Sequence, residues 1–272
     1  MKNITCWGDS LTAGACGNGV SYPSVLEKLS GVTVYNYGVG GESAVTIAAR
    51  QGAVPMELAE SVRVQNGVPC EIKIKDFNGF AITPLMQSRT ADKGINDCIL
   101  DSVRGELDLA DGKYYFTPRT AGKNTEIRGG TRIVTKAMLE RTEDVLIIFM
   151  GQNGGFNNAD ELISLQRKML EFAHNENEYL IVGLTTGNRA DREVMDERLL
   201  EEYGDHFLNL REYLCSVVCE NGEITFDDED VQRAALGCVP KRLLADEVHF
   251  NADGYSIIGK RIFGKLCELN IL

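Results

Sequence analysis

The sequence predicts an α/β protein built on a parallel sheet and interrupted by a block of antiparallel strands. Three observations carry that expectation. Near both ends of the chain, short apolar runs alternate with stretches of helical periodicity. One run, residues 145–150, is apolar throughout, as a strand covered on both faces must be. Between residues 51 and 135 the rhythm changes to period-two runs separated by Asn-Gly, Asp-Gly and Gly-Gly. Those dipeptides supply the positive φ that two-residue hairpins require.

In chain order, residues 4–7 read as the first strand, running into Gly8-Asp9-Ser10-Leu11 and a glycine-rich loop. A helix follows over 22–29, with Ser21 before Pro23 as its start signal and Val25, Leu26 and Leu29 on one face. Residues 32–37 are β-branched and aromatic, a second strand, and Gly38-Val39-Gly40-Gly41 leads to a helix over 43–50. Three hairpins are expected in the middle block. They join 71–75 to 80–85 through Asn78-Gly79, 106–109 to 114–117 through Asp111-Gly112, and 125–128 to 132–134 through Gly129-Gly130. The α/β rhythm then resumes, with strands at 144–150, 179–184 and 206–210 and helices at 160–174, 191–203 and 211–219. The acidic run 220–230 reads as a solvated turn-rich segment, 231–244 as helical in part, and 252–269 as a final amphipathic helix. Right-handed crossovers then give a three-layer α/β/α sandwich with a five-stranded, mostly parallel, flavodoxin-like sheet plus a small inserted antiparallel β module. The core takes residues 1–50 and 136–272, and the module takes 51–135.

The 272 residues suit a core domain with a substantial insertion. A net charge of −12 argues against nucleic acid and anionic membrane surfaces as partners, because both need basic patches. The eight cysteines are scattered, with no C-x-x-C spacing, and read as free thiols of a reducing compartment. Residues 1–10 leave no room for an apolar signal segment, and no apolar run approaches bilayer length. The expected location is therefore cytoplasmic.

A serine at the end of a buried strand stands where open α/β sheets bind ligands, so Ser10 is the candidate nucleophile. Its base must come from three histidines. His174 closes a helix and His206 opens a strand, and both read as structural. His249 lies in a loop before the last helix, with Asp246 three residues earlier. A turn can bring that carboxylate to Nδ1 and leave Nε2 free to take the serine proton. Two further loops offer donors to a developing oxyanion. These are the bare amides of 38–41 and the side chain of Asn153 in Gly151-Gln152-Asn153-Gly154-Gly155.

Taken together, these blocks resemble the SGNH hydrolases, also called the GDSL esterase/lipase family. Gly8-Asp9-Ser10-Leu11 is similar to the family's first block. Residues 36–41 are similar to the second, Gly151-Gln152-Asn153 to the third, and Asp246-Glu247-Val248-His249 to the last. The resemblance covers residues 1–50 and 140–272. It implies a catalytic set of Ser10, Asp246 and His249 and an oxyanion hole of Ser10, Gly41 and Asn153. It further implies no metal or cofactor and a small-molecule or carbohydrate ester as substrate, foremost a short-chain acetyl ester. One departure stands out: the family's third block ends in aspartate, and here that position is Gly154. Asp9 is expected to brace its loop rather than act as the triad's acid. The inserted module is open to roles as a lid, a carbohydrate contact or an oligomer surface. Tyr114, Tyr115, Phe116 and Arg119 read first as the interior of a small sheet. Two other readings are carried forward. One is a nucleotide- or flavin-binding α/β protein, suggested by the glycines of 38–41, which lack the full G-x-G-x-x-G because Ser43 holds its last position. The other is a non-catalytic binding module that keeps the fold.

Overall fold

The computed structural model describes residues 2–87, 92–140, 145–219 and 224–272. Strand β1 (Ile4–Gly8), buried at every position, ends at Asp9, which caps the short helix α1 (Ser10–Ala13). Helix α2 (Tyr22–Ser30) starts at Ser21, whose hydroxyl takes the Ser24 amide in a reciprocal capping box. Strand β2 (Val34–Gly38) is followed by α3 (Ala44–Gln51), capped by Ser43. Then come β3 (Val62–Val64), β4 (Cys70–Ile72), β5 (Cys98–Leu100), β6 (Val103–Ala110), β7 (Lys113–Pro118), β8 (Thr125–Ile127), β9 (Ile133–Val134) and α4 (Lys136–Leu139). The last third alternates again: β10 (Val145–Phe149), α5 (Ala159–Phe172), β11 (Tyr179–Val182), α6 (Arg189–Tyr203), β12 (Phe207–Leu208), α7 (Leu210–Ser216), α8 (Asp228–Ala235) and α9 (Ala252–Glu268).

Five strands form one parallel sheet in the order β2-β1-β10-β11-β12. Its two faces carry separate apolar clusters because side chains alternate along each strand. Ile4 and Cys6 of β1, with Ile147 and Phe149 of β10, meet Tyr22 and Leu26 of α2 and Tyr255, Ile258, Ile262 and Leu266 of α9. Each such aliphatic burial contributes about 1.5–3 kcal/mol, so α9 is among the main fasteners of that layer. Trp7, Leu146 and Ile148 point to the other face, against α3 and α5. That second cluster continues into Ile72, Leu107, Phe116, Ile127 and Ile133 of the antiparallel strands. The sandwich is thus a three-layer α/β/α unit with a separate antiparallel sheet, β4-β7-β6-β5-β9, and a two-stranded ribbon, β3-β8.

Two of the three expected hairpins are corrected. The middle one holds: β6 and β7 pair as far as Ala110 and Lys113, and Asp111 and Gly112 have φ of 50° and 73°. At Asn78-Gly79 the chain does turn, with φ of 50° and 79°, but only Phe77 and Phe80 bridge. Strand β4 pairs with β7 instead, and residues 80–85 are not a strand. Pro84 has no N–H for a ladder, and its carbonyl accepts from the Tyr114 hydroxyl at 2.9 Å. At Gly129-Gly130, β8 pairs with β3 while β9 pairs with β5. Residues 56–58 run alongside and take the hydrogen bonds a hairpin would have used: Leu58 N–H donates to Thr131 O, and Ile133 N–H to Met56 O.

The acidic run is also revised. Residues 220–223 lie outside the described region, and helix begins at Asp228. Asp230 is buried and accepts from the Arg242 amide at 3.0 Å. Tyr114 and Phe116 serve the antiparallel sheet's interior, and Arg119 pairs with Asp97 and Glu106. Among the described residues no helix is long and apolar enough to cross a membrane.

Candidate active site

The register of the parallel sheet decides where the loops meet. Gly8 is paired with Gly38 on one side and Phe149 on the other, so β1, β2 and β10 end level. The loops that leave them carry Ser10, Gly40-Gly41 and Asn153. Gly8 is required by close approach: a Cβ there would lie 2.1 Å from Thr12 Oγ1 and 2.3 Å from Phe149 O. Its absence lets α1 turn directly over the strand end, with Ser10 as the first helical residue. The Asp9 carboxylate accepts from the Leu11 amide at 3.0 Å, which makes it the cap of that turn.

His249 reaches Ser10 from the far end of the chain. Its Nε2 lies 2.9 Å from Ser10 Oγ, and its Nδ1 lies 2.8 Å from Asp246 Oδ2. The other carboxylate oxygen accepts from the amides of Val248 and His249 at 2.8 and 2.7 Å. These bonds to the His249 amide, the imidazole and the Val248 amide hold the Asp246 carboxyl down to about 2. The loop itself is closed by Ala245 N–H to His249 O and by Asn251, which caps α9 and donates to Arg242 O. The three side chains therefore form one hydrogen-bonded line, and the D-x-x-H turn accounts for its Asp246–His249 half.

Besides the Ser10 amide, the expected oxyanion donors lie on the loops that leave β2 and β10. Among the described residues, the amides of Gly40 and Gly41 have no hydrogen-bond acceptor. A Cβ on Gly40 would stand 3.6 Å from Ser10 Cβ. Gly41 adopts φ of 77°, the left-handed region that glycine enters without strain. Asn153 Nδ2 donates one hydrogen to Glu42 O at 3.1 Å. An amide nitrogen carries two hydrogens, so that bond orients the group and leaves the other free. Gly154, the departure from the family's block, has φ of 70°, which would strain an aspartate. Backbone bonds brace the loop instead: Gly154 N–H to Gly151 O at 3.0 Å and Ala44 N–H to Gly154 O at 2.9 Å.

Those bonds also bear on the nucleotide reading. At the start of α3 the Ala44 amide is taken by Gly154 O and the Thr46 amide by Ser43 Oγ. Two of the amides that would cradle a phosphate are occupied.

No protein-family model and no curated protein sequence matches the chain. Among solved structures, one assigned to the G-D-S-L family of lipolytic proteins, from Desulfitobacterium hafniense DCB-2, is similar at 13% identity and a TM-score of 0.47, over 98% of this chain and 100% of that one. The likeness is distant, and the fold above rests on sheet topology rather than on it.

Several residues around the site escape a sequence reading. Glu42 and Arg50, both buried, form an ion pair with Nε and Nη2 of Arg50 at 3.0 and 2.9 Å from Oε2. Arg50 also donates to Tyr37 O and Lys93 O and lies 4.8 Å over the Trp7 ring. Burial pushes the Glu42 carboxyl up, and Arg50 opposes that shift. Tyr255 of α9 donates to Ala15 O at 2.9 Å, tying the last helix to the loop after Ser10. Gln87 leans over Gly40 and Gly41 from the antiparallel side. None of these carries a local signal: Glu42 precedes α3 and stands eight positions from Arg50, outside the i,i+3 and i,i+4 spacings at which helical side chains meet.

A cavity of about 260 Å³, lined by Trp7, Tyr35, Tyr37 and Phe172, includes none of the candidate catalytic residues. Another, of about 240 Å³, also includes none of them; it is lined by Thr185, Thr186, Asn188, Asp191 and Arg233 together with Val248 and Phe250, the chain neighbours of His249. Gln152, next to Asn153, donates to Thr185 Oγ1 at 3.1 Å and accepts from Thr186 Oγ1 at 2.8 Å. The wall of that cavity is thereby tied to the Asn153 loop.

Proposed function

We propose that the protein is a serine esterase that hydrolyses a carboxylic ester through an acyl-enzyme. The observation that carries this reading is the unbroken Ser10–His249–Asp246 line, with Oγ–Nε2 at 2.9 Å and Nδ1–Oδ2 at 2.8 Å. Ser10 Oγ attacks the acyl carbon while its proton passes to His249 Nε2. Asp246 fixes the imidazole tautomer and stabilises the imidazolium. The Ser10 amide, the Gly41 amide and the free Asn153 Nδ2–H stabilise the oxyanion. The alcohol departs with the proton from His249, and water, activated by the same imidazole, releases the acid. None of these steps calls on a metal or cofactor.

The substrate we propose is a short acyl ester, foremost an acetyl group on a polyhydroxylated alcohol such as a carbohydrate. Gln87, close above Gly40 and Gly41, limits room on the acyl side. The carbohydrate alcohol follows from the resemblance of the four sequence blocks to the SGNH hydrolases. Hydrolysis of p-nitrophenyl acetate tests the chemistry. The wild-type protein cleaves it, and Ser10→Ala, with unchanged circular dichroism, does not exceed the uncatalysed rate. Equal rates for the two proteins would refute the nucleophile. A panel of p-nitrophenyl esters and acetylated sugars tests the substrate class, with acetyl preferred over longer chains.

A further inference from the structure

Cys16 lies in the loop after α1, exposed and with φ of 64°. Its thiol faces Asp246 Oδ2 at 3.9 Å. The Cys16 sulfur, an Asp246 carboxylate oxygen and a His249 ring nitrogen all lie within 4.8 Å of one another. Nε2 is turned to Ser10, so the nitrogen on that side is Nδ1. Thiolate, imidazole and carboxylate are the ordinary ligand types of Zn²⁺, at about 2.3 Å for sulfur and 2.0–2.2 Å for nitrogen and oxygen. Tetrahedral angles at those lengths put the ligand atoms about 3.4–3.6 Å apart. The Nδ1–Oδ2 distance of 2.8 Å would open by about 0.6 Å, and the sulfur would close on the nitrogen by up to about 1.2 Å. Cys16 and Asp246 are exposed and His249 is half-buried, so an ion can reach the cluster from solvent.

We propose that Cys16, Asp246 and His249 form a binding site for a thiophilic divalent cation of the Zn²⁺ class, and that its occupation switches the Ser10–His249 pair off. The site stands on the three side chains, and its effect on turnover rests on the esterase reading above. On binding, the Cys16 thiol releases one proton to solvent and ligates as thiolate. The metal takes the Nδ1 lone pair, so the imidazole proton moves to Nε2. No bond is oxidised or reduced. An imidazole protonated at Nε2 cannot accept the Ser10 proton, and Asp246 no longer holds the productive tautomer. One proton released per ion makes apparent affinity rise with pH.

The experiment titrates reduced, metal-free protein with Co²⁺ and with Zn²⁺. Co²⁺ reads binding directly through thiolate-to-metal charge-transfer absorption in the near ultraviolet, and Zn²⁺ reads inhibition of p-nitrophenyl acetate cleavage. The comparison protein is Cys16→Gly, which keeps the left-handed backbone and leaves basal activity unchanged. The proposal expects one equivalent of Co²⁺ band in the wild type that is missing from Cys16→Gly. It also expects Zn²⁺ inhibition that a chelator reverses and that needs at least ten-fold more metal in the variant. The same band in both proteins overturns the site. A Cys16-dependent band with unaltered ester cleavage at saturating Zn²⁺ overturns the switch. Should the wild type cleave no ester, the esterase reading fails and the Co²⁺ comparison still decides the site.

Discussion

Ser10 and His249 stand 239 positions apart in the chain and 2.9 Å apart in the fold. Around them each polar residue has a separable task, and single substitutions can tell the tasks apart. On the proposed reading, Asn153 acts where negative charge develops. Asn153→Ala should lower kcat by roughly 10²–10³ with little change in KM, and an effect confined to KM would remove it from that role. Asp9 and Asp246 are both carboxylates, yet their environments push them in opposite directions. Asp246, exposed and held by the His249 amide, the imidazole and the Val248 amide, is kept down at about 2, so loss of activity at any pH above the usual carboxylate value does not come from it. Asp9 is buried, and its Oδ2 has no partner among the described residues. Burial raises it from 3.8 to about 7. Between those values the folded chain holds a proton that the unfolded chain has released, so this group's contribution to stability falls as pH climbs and levels off above about 7. Asp9→Asn is neutral throughout and keeps an acceptor for Leu11. Its stability relative to the wild type should therefore rise across that window and then stay flat, as read from urea unfolding at a series of pH values. Parallel curves would contradict it.

At the level of elements, the site depends on how loops are hung from the ends of strands. The Glu42–Arg50 pair joins the loop after β2 to the body of α3, and the Glu42 carbonyl holds Asn153. Removing one member of a buried pair costs about 3–5 kcal/mol, whereas replacing both by apolar or neutral groups costs far less. Arg50→Met should lose about that much stability in denaturant titrations and lower kcat through Asn153. Glu42→Gln combined with Arg50→Met should recover at least half of the stability loss. Additive losses would show that the pair is not coupled.

For the molecule as a whole, what the sequence disclosed follows from how local each signal is. The all-apolar β10, the capped α2 and α9, and the Asp111-Gly112 hairpin are written in adjacent residues, and the structure contains them. The D-x-x-H turn is likewise local, so Asp246 beside His249 was legible. Strands β3 and β5 were not, because three-residue strands take their partners from distant segments. Gly129-Gly130 looked like a hairpin until residues 56–58 claimed its hydrogen bonds. Cys16, Arg50, Gln87 and Tyr255 gain meaning only from tertiary neighbours. The central claim is itself tertiary: folding makes Ser10 a nucleophile by delivering His249 to it. A fluorophosphonate that reacts with activated serines tests this most directly, with intact-mass and peptide mapping as the readout. The account predicts one adduct per chain, on Ser10, abolished by His249→Ala and by unfolding in urea. Labelling at another residue, or labelling of Ser10 that survives the loss of His249, would contradict it.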